Sequence, residues 1–173
     1  MTTYFTSDLH LGHMNIISIC NRPFRDLDGM NEQLIRNINE RVGEDDTLWI
    51  LGDVSYRVSY EEAKALLKQI NCKDIRLVRG NHDKDWEAGD IFTEVCDYKE
   101  LKLDGCKVCL MHYPLESWNG MHHGSFHLHG HSHNKPDYNR ANVTEERLKW
   151  DVGVDANAYV PISWEEIRSS LLI

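Results

Sequence analysis

The chain has 173 residues, of which 41% are hydrophobic, and a formal net charge of −9 at pH 7. This length and composition predict one globular domain over residues 1–173 and exclude an intrinsically disordered chain. The acidic balance argues against an extended nucleic-acid surface, and no apolar run reaches the roughly 18 residues that a membrane span needs.

Short runs of apolar and β-branched residues predict strands along the whole chain. They lie at residues 3–6, 47–51, 75–78, 91–96, 99–103, 107–111, 126–128 and 148–152. Strands alternate with helical patterns in the first half, as in βαβ units, whereas the second half is richer in strands. We therefore expect an α/β fold, two-layered or a four-layer α/β/β/α sandwich. The four-layer form, with mixed sheets and the helices outside, is favoured.

Three helices are predicted from the spacing of apolar residues. The first covers residues 30–38, with an expected start near Asp28. The other two each open with a capping box, in which a Ser and a Glu three residues later bond each other's backbone N–H. These boxes pair Ser59 with Glu62 and Ser163 with Glu166.

The cysteines are odd in number and give no clear disulfide pattern. The N-terminal residues lack a basic segment followed by an apolar core, so we expect free thiols and a cytoplasmic location. Cys106 and Cys109 resemble a CxxC motif but share one predicted strand. Residues three apart on a strand point to opposite faces, so these two thiols are not expected to bind one metal.

Polar clusters follow several of the predicted strands. They comprise Asp8 with His10; Gly52 with Asp53; Gly80 with Asn81, His82 and Asp83; His112; and Gly130 with His131 and His133. Taken singly, an Asp after a strand is often only a helix cap or a turn former. Together, the carboxylate, amide and imidazole groups suffice for two metal ions at a hydrolytic centre. Asp8 and His10 would share one face if the strand continued through them.

The ordered motifs DxH, GD, GNHD, H and GHSH resemble those of the calcineurin-like metallophosphoesterase superfamily, particularly its small bacterial and phage members. The resemblance runs from Ser7 to residues 152–155 and implies a metallophosphoesterase fold. The longer second motif of the protein phosphatases is absent, because Val54-Ser55-Tyr56-Arg57 follows Asp53. A Ser/Thr protein phosphatase is therefore not expected.

The resemblance also implies a role for each residue. Asp8, His10, Asp53 and His133 would hold one metal ion, and Asp53, Asn81, His112 and His131 would hold the other. Asp53 would then bridge both ions. Asp53 and His82 would be the catalytic residues. His82 would not be a ligand, but would act as a proton donor or as a partner of the phosphate oxygens, and Asn81 would also bind the substrate.

These residues predict a hydrolase of phosphate esters. In the expected mechanism, two divalent ions share a hydroxide that attacks phosphorus in line, without a covalent enzyme intermediate. A phosphodiesterase is favoured, acting on a nucleotide or a nucleic-acid end. A phosphomonoesterase on a nucleotide or small metabolite, a nuclease gripping a strand end, and a catalytically silent scaffold stay open. The ligands suit Mn²⁺, Fe²⁺ or Zn²⁺ better than Mg²⁺, with Mn²⁺ favoured.

Other polar residues have less certain roles. Arg22 could bind a substrate phosphate as a bidentate donor, or belong to a surface loop. His122 and His123 could contact substrate from the rim, or be exposed. His127 and His129 alternate with apolar neighbours on a predicted strand, so we expect them to be structural or to face solvent.

Overall fold

The computed structural model of the chain describes residues 1–83, 86–141, 144 and 147–171. The strands in this described part are β1 (Thr3–Thr6), β2 (Thr47–Ile50), β3 (Asp74–Val78), β4 (Glu94–Cys96), β5 (Lys99–Leu103), β6 (Cys106–Leu110), β7 (Phe126–His129), β8 (Lys149–Asp151) and β9 (Ile162–Ser163). The helices are α1 (Ile16–Ile19), α2 (Leu27–Arg41), α3 (Tyr60–Leu67), α4 (Asp137–Ala141) and α5 (Trp164–Leu171). Short 3-10 turns lie at Met121–His123 and Val154–Ala156.

The strands form two mixed sheets. The first has the order β4-β3-β2-β1-β9, in which β9 is antiparallel to β1 and the other pairs are parallel. The second has the order β5-β6-β7-β8, in which only the β5–β6 pair is antiparallel. The predicted α/β class with mixed sheets is confirmed. Parallel strands bring their carboxyl ends to one edge of a sheet, so the segments after β1, β2 and β3 lie side by side.

Strand alternation separates two hydrophobic cores. In β2, Leu48 and Ile50 pack against α2 and α3, whereas Trp49 points to the opposite face and packs between the two sheets. This is the two-residue period of a strand that is buried on both faces. The core between the sheets also contains Phe5, Val78, Val108, Leu110, Phe126 and Leu128, with Trp164 and Ile167 from α5. The outer face of the second sheet is covered by α4 and the segment of residues 113–125.

Capping side chains determine where three of the helices begin. The capping box of Ser59 and Glu62 is present at α3, and Ser163 makes the same reciprocal bonds with Glu166 before α5. The helix predicted from Asp28 begins earlier, because the Asp26 side chain accepts the N–H of Gly29 at 2.8 Å. This cap extends α2 over Leu27–Arg41.

Some predicted strand limits shift by a few residues. The run predicted at residues 91–96 is a strand only from Glu94, because Phe92 pairs with Ala88 in a tight turn. All five cysteines are free, as predicted. Cys106 packs on the core between the sheets, whereas Cys109 bonds the Asn119 carbonyl on the other face. None of the helices in the described residues is long and apolar enough to cross a membrane.

Candidate metal centre

Many of the predicted ligands occupy unusual backbone conformations. Asp8, His10, Asp53, His131 and His133 have φ values of 57°, 50°, 54°, 71° and 48°. Left-handed φ values are uncommon for residues with a side chain, and they concentrate where a site over-determines the backbone. The strand therefore does not continue through Asp8 and His10, so the shared strand face considered for them does not form. The strand ends at Thr6, and left-handed turns direct both side chains toward the centre.

One group of potential ligands consists of Asp8, His10 and His133, whose ligand atoms lie within 4.8 Å of one another. Asp8 is fully buried and accepts the His131 N–H at 3.0 Å. Nε2 of His10 is buried and has no hydrogen-bond partner. Nδ1 of His133 bonds Asp155 at 2.8 Å, which leaves its Nε2 to bind an ion.

A second group lies across the sheet edge. The Asn81 Oδ1 atom is 3.1 Å from His112 Nε2 and 3.2 Å from His131 Nδ1. Asp53, His112 and His131 also place ligand atoms within 4.8 Å of one another. The other nitrogen of His112 donates to the Leu51 carbonyl at 2.7 Å, so its Nε2 lone pair faces the group. Such a backbone bond is a usual way to orient a metal-binding imidazole.

Asp53 lies between the two groups. Its Oδ2 atom is 3.5 Å from His10 Nε2 and 3.6 Å from His112 Nε2, so one oxygen faces both sets. Its Oδ1 atom accepts the backbone N–H of His82 at 3.1 Å. A carboxylate in this position can bridge two cations, because its oxygens can serve both at once.

His82 belongs to neither group of ligands. Its Nε2 atom is 3.9 Å from Asp53 Oδ2, and its side chain is 29% exposed, so it lies at the mouth of the centre. The ring of Tyr56 packs against it with 4.1 Å between centroids. His82 is therefore placed to meet a substrate that approaches the ligands from solvent.

Two glycines allow the backbone to pass close to the candidate ligands His112 and Asp53. A Cβ atom on Gly52 would lie 2.3 Å from His112 Nδ1, and one on Gly80 would lie 2.4 Å from Asp53 Oδ1. Both distances are far below van der Waals contact. A side chain at either position would therefore displace a candidate ligand.

The electrostatics of the site match a bound cation. Burial raises the pKa of Asp8 to about 8 and lowers the pKa of His10 to about 2. Burial also acts to lower the pKa of His133, but the hydrogen bond that its ring donates to Asp155, together with the nearby Cys20 and Asp8, outweighs burial and raises that pKa to about 10. Divalent cations would offset the buried carboxylates and use the unpaired His10 nitrogen, so this donor set fits metal binding.

The sequence interpretation gave no role to two buried carboxylates. Asp83 accepts backbone N–H groups from Asp53, Gly80 and Val54, at 2.5, 2.9 and 3.0 Å. Asp155 bonds His133 and Arg22. Each lies within or next to a recognised motif, and this position in the sequence is the only indication of a role that the sequence offers. Their partners come from other segments of the chain and could not be read from spacing.

Arg22 does not lie where a substrate could reach it. Its side chain is fully buried and forms a salt bridge with Asp155 at 2.9 Å. It also donates to the backbone carbonyls of Asp8 at 2.7 Å and Leu9 at 3.0 Å. Because these bonds use the guanidinium group inside the protein, the expectation that Arg22 binds a phosphate is corrected. Arg22 instead supports the turn that carries Asp8.

The remaining histidines lie outside the ligand groups. His122 and His123 are exposed on a 3-10 turn. His127 and His129 are buried, so they do not face solvent and the structural alternative holds. The Leu115 N–H donates to His127 Nε2 at 3.0 Å, while His127 Nδ1 is 3.1 Å from the Cys109 carbonyl.

Comparisons with known proteins show which family the chain belongs to. A family model described as calcineurin-like phosphoesterase matches residues 1–165. An uncharacterised protein of Methanocaldococcus jannaschii is 32% identical over 165 residues, which cover 95% of this chain and 88% of the relative. A structure of unknown function from Aquifex aeolicus has a TM-score of 0.76 and 28% identity, with 99% of each chain covered. An archaeal protein described as a novel phosphodiesterase shares the fold, with a TM-score of 0.54, 18% identity and coverage of 88% and 84%.

Proposed function

The chain belongs to the calcineurin-like phosphoesterase family, and on that premise we propose that this hydrolase of phosphoric esters is a phosphodiesterase with two metal ions. The family depends on divalent metals. The observation that carries the proposal is the position of Asp53, whose Oδ2 atom faces His10 and His112 at 3.5 and 3.6 Å. One carboxylate between two ligand groups is the arrangement that a dinuclear centre needs.

We assign the ligands to two ions within one domain. Asp8, His10, Asp53 and His133 hold the first ion, and Asp53, Asn81, His112 and His131 hold the second. The mixture of carboxylate, amide and imidazole groups suits Mn²⁺, Fe²⁺ or Zn²⁺, and we propose Mn²⁺. When bound, such ions activate water as a nucleophile and neutralise charge on the phosphoryl oxygens.

The protein's own groups prepare this chemistry. Asp83 holds the backbone of Asp53, and Leu51 fixes the ring of His112, so the ligand atoms converge before substrate arrives. His82, at the mouth, donates a hydrogen bond to a phosphoryl oxygen or a proton to the leaving oxygen. Its side chain reaches the substrate without being needed to hold an ion.

An open mouth supports diester cleavage. Asn81, His82 and His131 are exposed, and Tyr113 is 40% exposed beside His131. This leaves room on the solvent side for the second ester group, which a monoester lacks. The archaeal protein of the same fold that is described as a phosphodiesterase is consistent with this choice.

The experiment compares bis-p-nitrophenyl phosphate with p-nitrophenyl phosphate in Mn²⁺, with chelated protein as the control. We expect faster cleavage of the diester and loss of activity on chelation. Faster cleavage of the monoester would replace the proposal with a phosphatase. If neither substrate were cleaved, the metal content per chain would be measured, and a protein without metal would contradict the dinuclear centre.

A further inference from the structure

A cleft of about 220 Å³ opens beside the metal centre. We call it the His82 cleft and define it by Tyr56, Arg57, Tyr60, His82 and Trp86, which line it. It is formed where the loop after β2 and the start of α3 meet the segment after β3. His82 lines this cleft and lies 3.9 Å from Asp53, so a single imidazole separates the cleft from the candidate ligands.

Four of the nine described residues that line the cleft carry aromatic rings. The rings of Tyr56 and His82 are 4.1 Å apart between centroids, and those of Tyr60 and Trp86 are 4.8 Å apart. Tyr56 also contacts His13, at 4.7 Å between centroids, so its ring is held from the side of the centre. Fixed aromatic rings at the edge of a cleft form a stacking surface for a planar group.

A positively charged side chain, that of Arg57, also lines the cleft. Arg57 is exposed, and within the described residues its guanidinium group forms no salt bridge. It lies 5.3 Å from the centroid of the Tyr56 ring. A guanidinium group beside an aromatic face can donate to the edge of a stacked base, which is a common way for Arg to recognise a nucleobase.

The size of the cleft limits its occupant. Pockets that enclose a whole drug-sized ligand measure roughly 300–1,000 Å³. A cleft of about 220 Å³ therefore takes one ring system of a substrate whose phosphate lies outside it. We propose that the His82 cleft binds the base of a nucleoside phosphodiester while the phosphorus lies at the metal centre. This inference rests on the proposed phosphodiesterase activity and names its substrate class.

The test compares two diesters with the same leaving group in Mn²⁺. One is the p-nitrophenyl ester of thymidine 5′-monophosphate, and the other is methyl p-nitrophenyl phosphate. Stacking of one base predicts a kcat/KM ratio of roughly 5- to 150-fold in favour of the thymidine ester. Because both substrates release p-nitrophenol, the ratio cancels changes in the shared chemical step.

Variants locate the source of the preference. We expect Tyr56→Leu to reduce the ratio at least about fivefold, because it removes the stacking ring, and Tyr56→Phe to keep it. Arg57→Asn should also lower the ratio, and Asn tolerates the left-handed backbone at this position, where φ is 59°. The matched control is Arg25→Asn, which removes an exposed positive charge from another loop and should leave the ratio unchanged.

A binding measurement gives a readout that does not depend on turnover. By calorimetry on the Mn²⁺-loaded protein, thymidine 5′-monophosphate should bind roughly 5- to 150-fold more tightly than inorganic phosphate. Tyr56→Leu should remove most of this difference. The affinity for inorganic phosphate serves as the reference, because phosphate occupies the metal centre alone.

The outcomes separate this inference from the function on which it rests. Cleavage of both esters with a ratio near one would overturn the base-binding cleft and leave the phosphodiesterase proposal intact. A high ratio that Tyr56→Leu does not change would place the base elsewhere. If Arg57→Asn lowered the kcat/KM ratio and Tyr56→Leu did not, the cleft would recognise the substrate by charge and not by stacking on a ring. That result would also overturn the inference. Failure to cleave either ester by a protein that cleaves bis-p-nitrophenyl phosphate would overturn the substrate class alone, whereas failure on all three diesters would overturn the proposed function as well.

Discussion

The carboxylate of Asp83 accepts the backbone N–H of Asp53 at 2.5 Å. The same carboxylate accepts N–H groups from Val54 and Gly80, so one buried side chain joins the segment after β2 to the segment after β3. Asp53 has a left-handed backbone with a φ of 54°, and this contact holds it there. The position of the candidate bridging ligand therefore depends on a residue that has no place among the ligands.

We predict that Asp83→Ala strongly destabilises the protein. The change leaves three backbone N–H groups without their acceptor, those of Asp53 and Val54 buried and that of Gly80 partly buried, and each buried loss costs about 1–3 kcal/mol. Urea unfolding followed by tryptophan fluorescence should show a loss of about 3 kcal/mol or more. The control is Asp97→Ala, whose side chain is 83% exposed and should change stability by about 0.5 kcal/mol or less. Equal losses in the two variants would contradict the bridging role of Asp83.

We predict that substitution of Asp53 lowers metal binding, whereas substitution of His82 lowers turnover without loss of metal. Asp53→Asn should lose most of its bound metal, because it weakens both proposed ion sites at once. His82→Ala should keep its metal but lower kcat by about 10²- to 10⁴-fold, the usual contribution of a general acid. Metal per chain after dialysis and diester turnover are measured on the same samples, with His122→Ala as the exposed control. Loss of metal from His82→Ala would reverse the assignment.

We predict that Arg22→Met destabilises the protein by about 3–5 kcal/mol. The change removes the cation from a fully buried ion pair, so that Asp155 keeps only its bond with His133, and the buried carbonyls of Asp8 and Leu9 lose their donor. The matched control is Arg41→Met, which removes an Arg–Glu166 pair whose side chains are 34% and 44% exposed. Pairs at the surface contribute about 0–1 kcal/mol. Similar unfolding free energies for both variants would rule out a supporting role for Arg22.

We predict that His127 makes the protein sensitive to mild acid. Burial lowers the pKa of His127 to about 3, from 6.5, and a charged ring would lose the bond that its Nε2 accepts from Leu115. Above pH 6.5 both folded and unfolded states are neutral at this position. Between pH 6.5 and about 3, only the unfolded state takes up the proton, so stability falls as the pH falls, by about 1.4 kcal/mol per unit.

The measurement is the free energy of unfolding at several pH values from 7 to 4.5. His127→Gln removes the titrating ring, so its stability should fall less steeply than that of the unmodified protein over this interval. His123→Gln, on the exposed 3-10 turn, is the matched control and should follow the unmodified protein. Parallel curves for the protein and His127→Gln would show that another group causes the acid sensitivity.

Local patterns were sufficient for much of the fold. The capping boxes at Ser59 and Ser163 involve residues three apart, so their bonds were predictable without knowledge of distant segments. The start of α2 could not be predicted in this way, because Asp26 and Asp28 are both suitable caps. The choice depends on which of the two residues has an extended backbone, and in the structure this is Asp26. The strand at residues 91–96 was overestimated because the pairing of Phe92 with Ala88 leaves no periodic signal.

The sequence by itself determined the order of the motifs and the residue types of the candidate centre, because these are properties of short segments. Only the tertiary structure decided that Arg22 is buried against Asp155, 133 residues away, and not directed at a substrate. It likewise decided that Asp83 joins two loops and that His127 is buried. Such contacts depend on which strand ends meet at the sheet edge and which segments cover a face. Long-range packing sets these relationships, and they leave no spacing to be read along the chain.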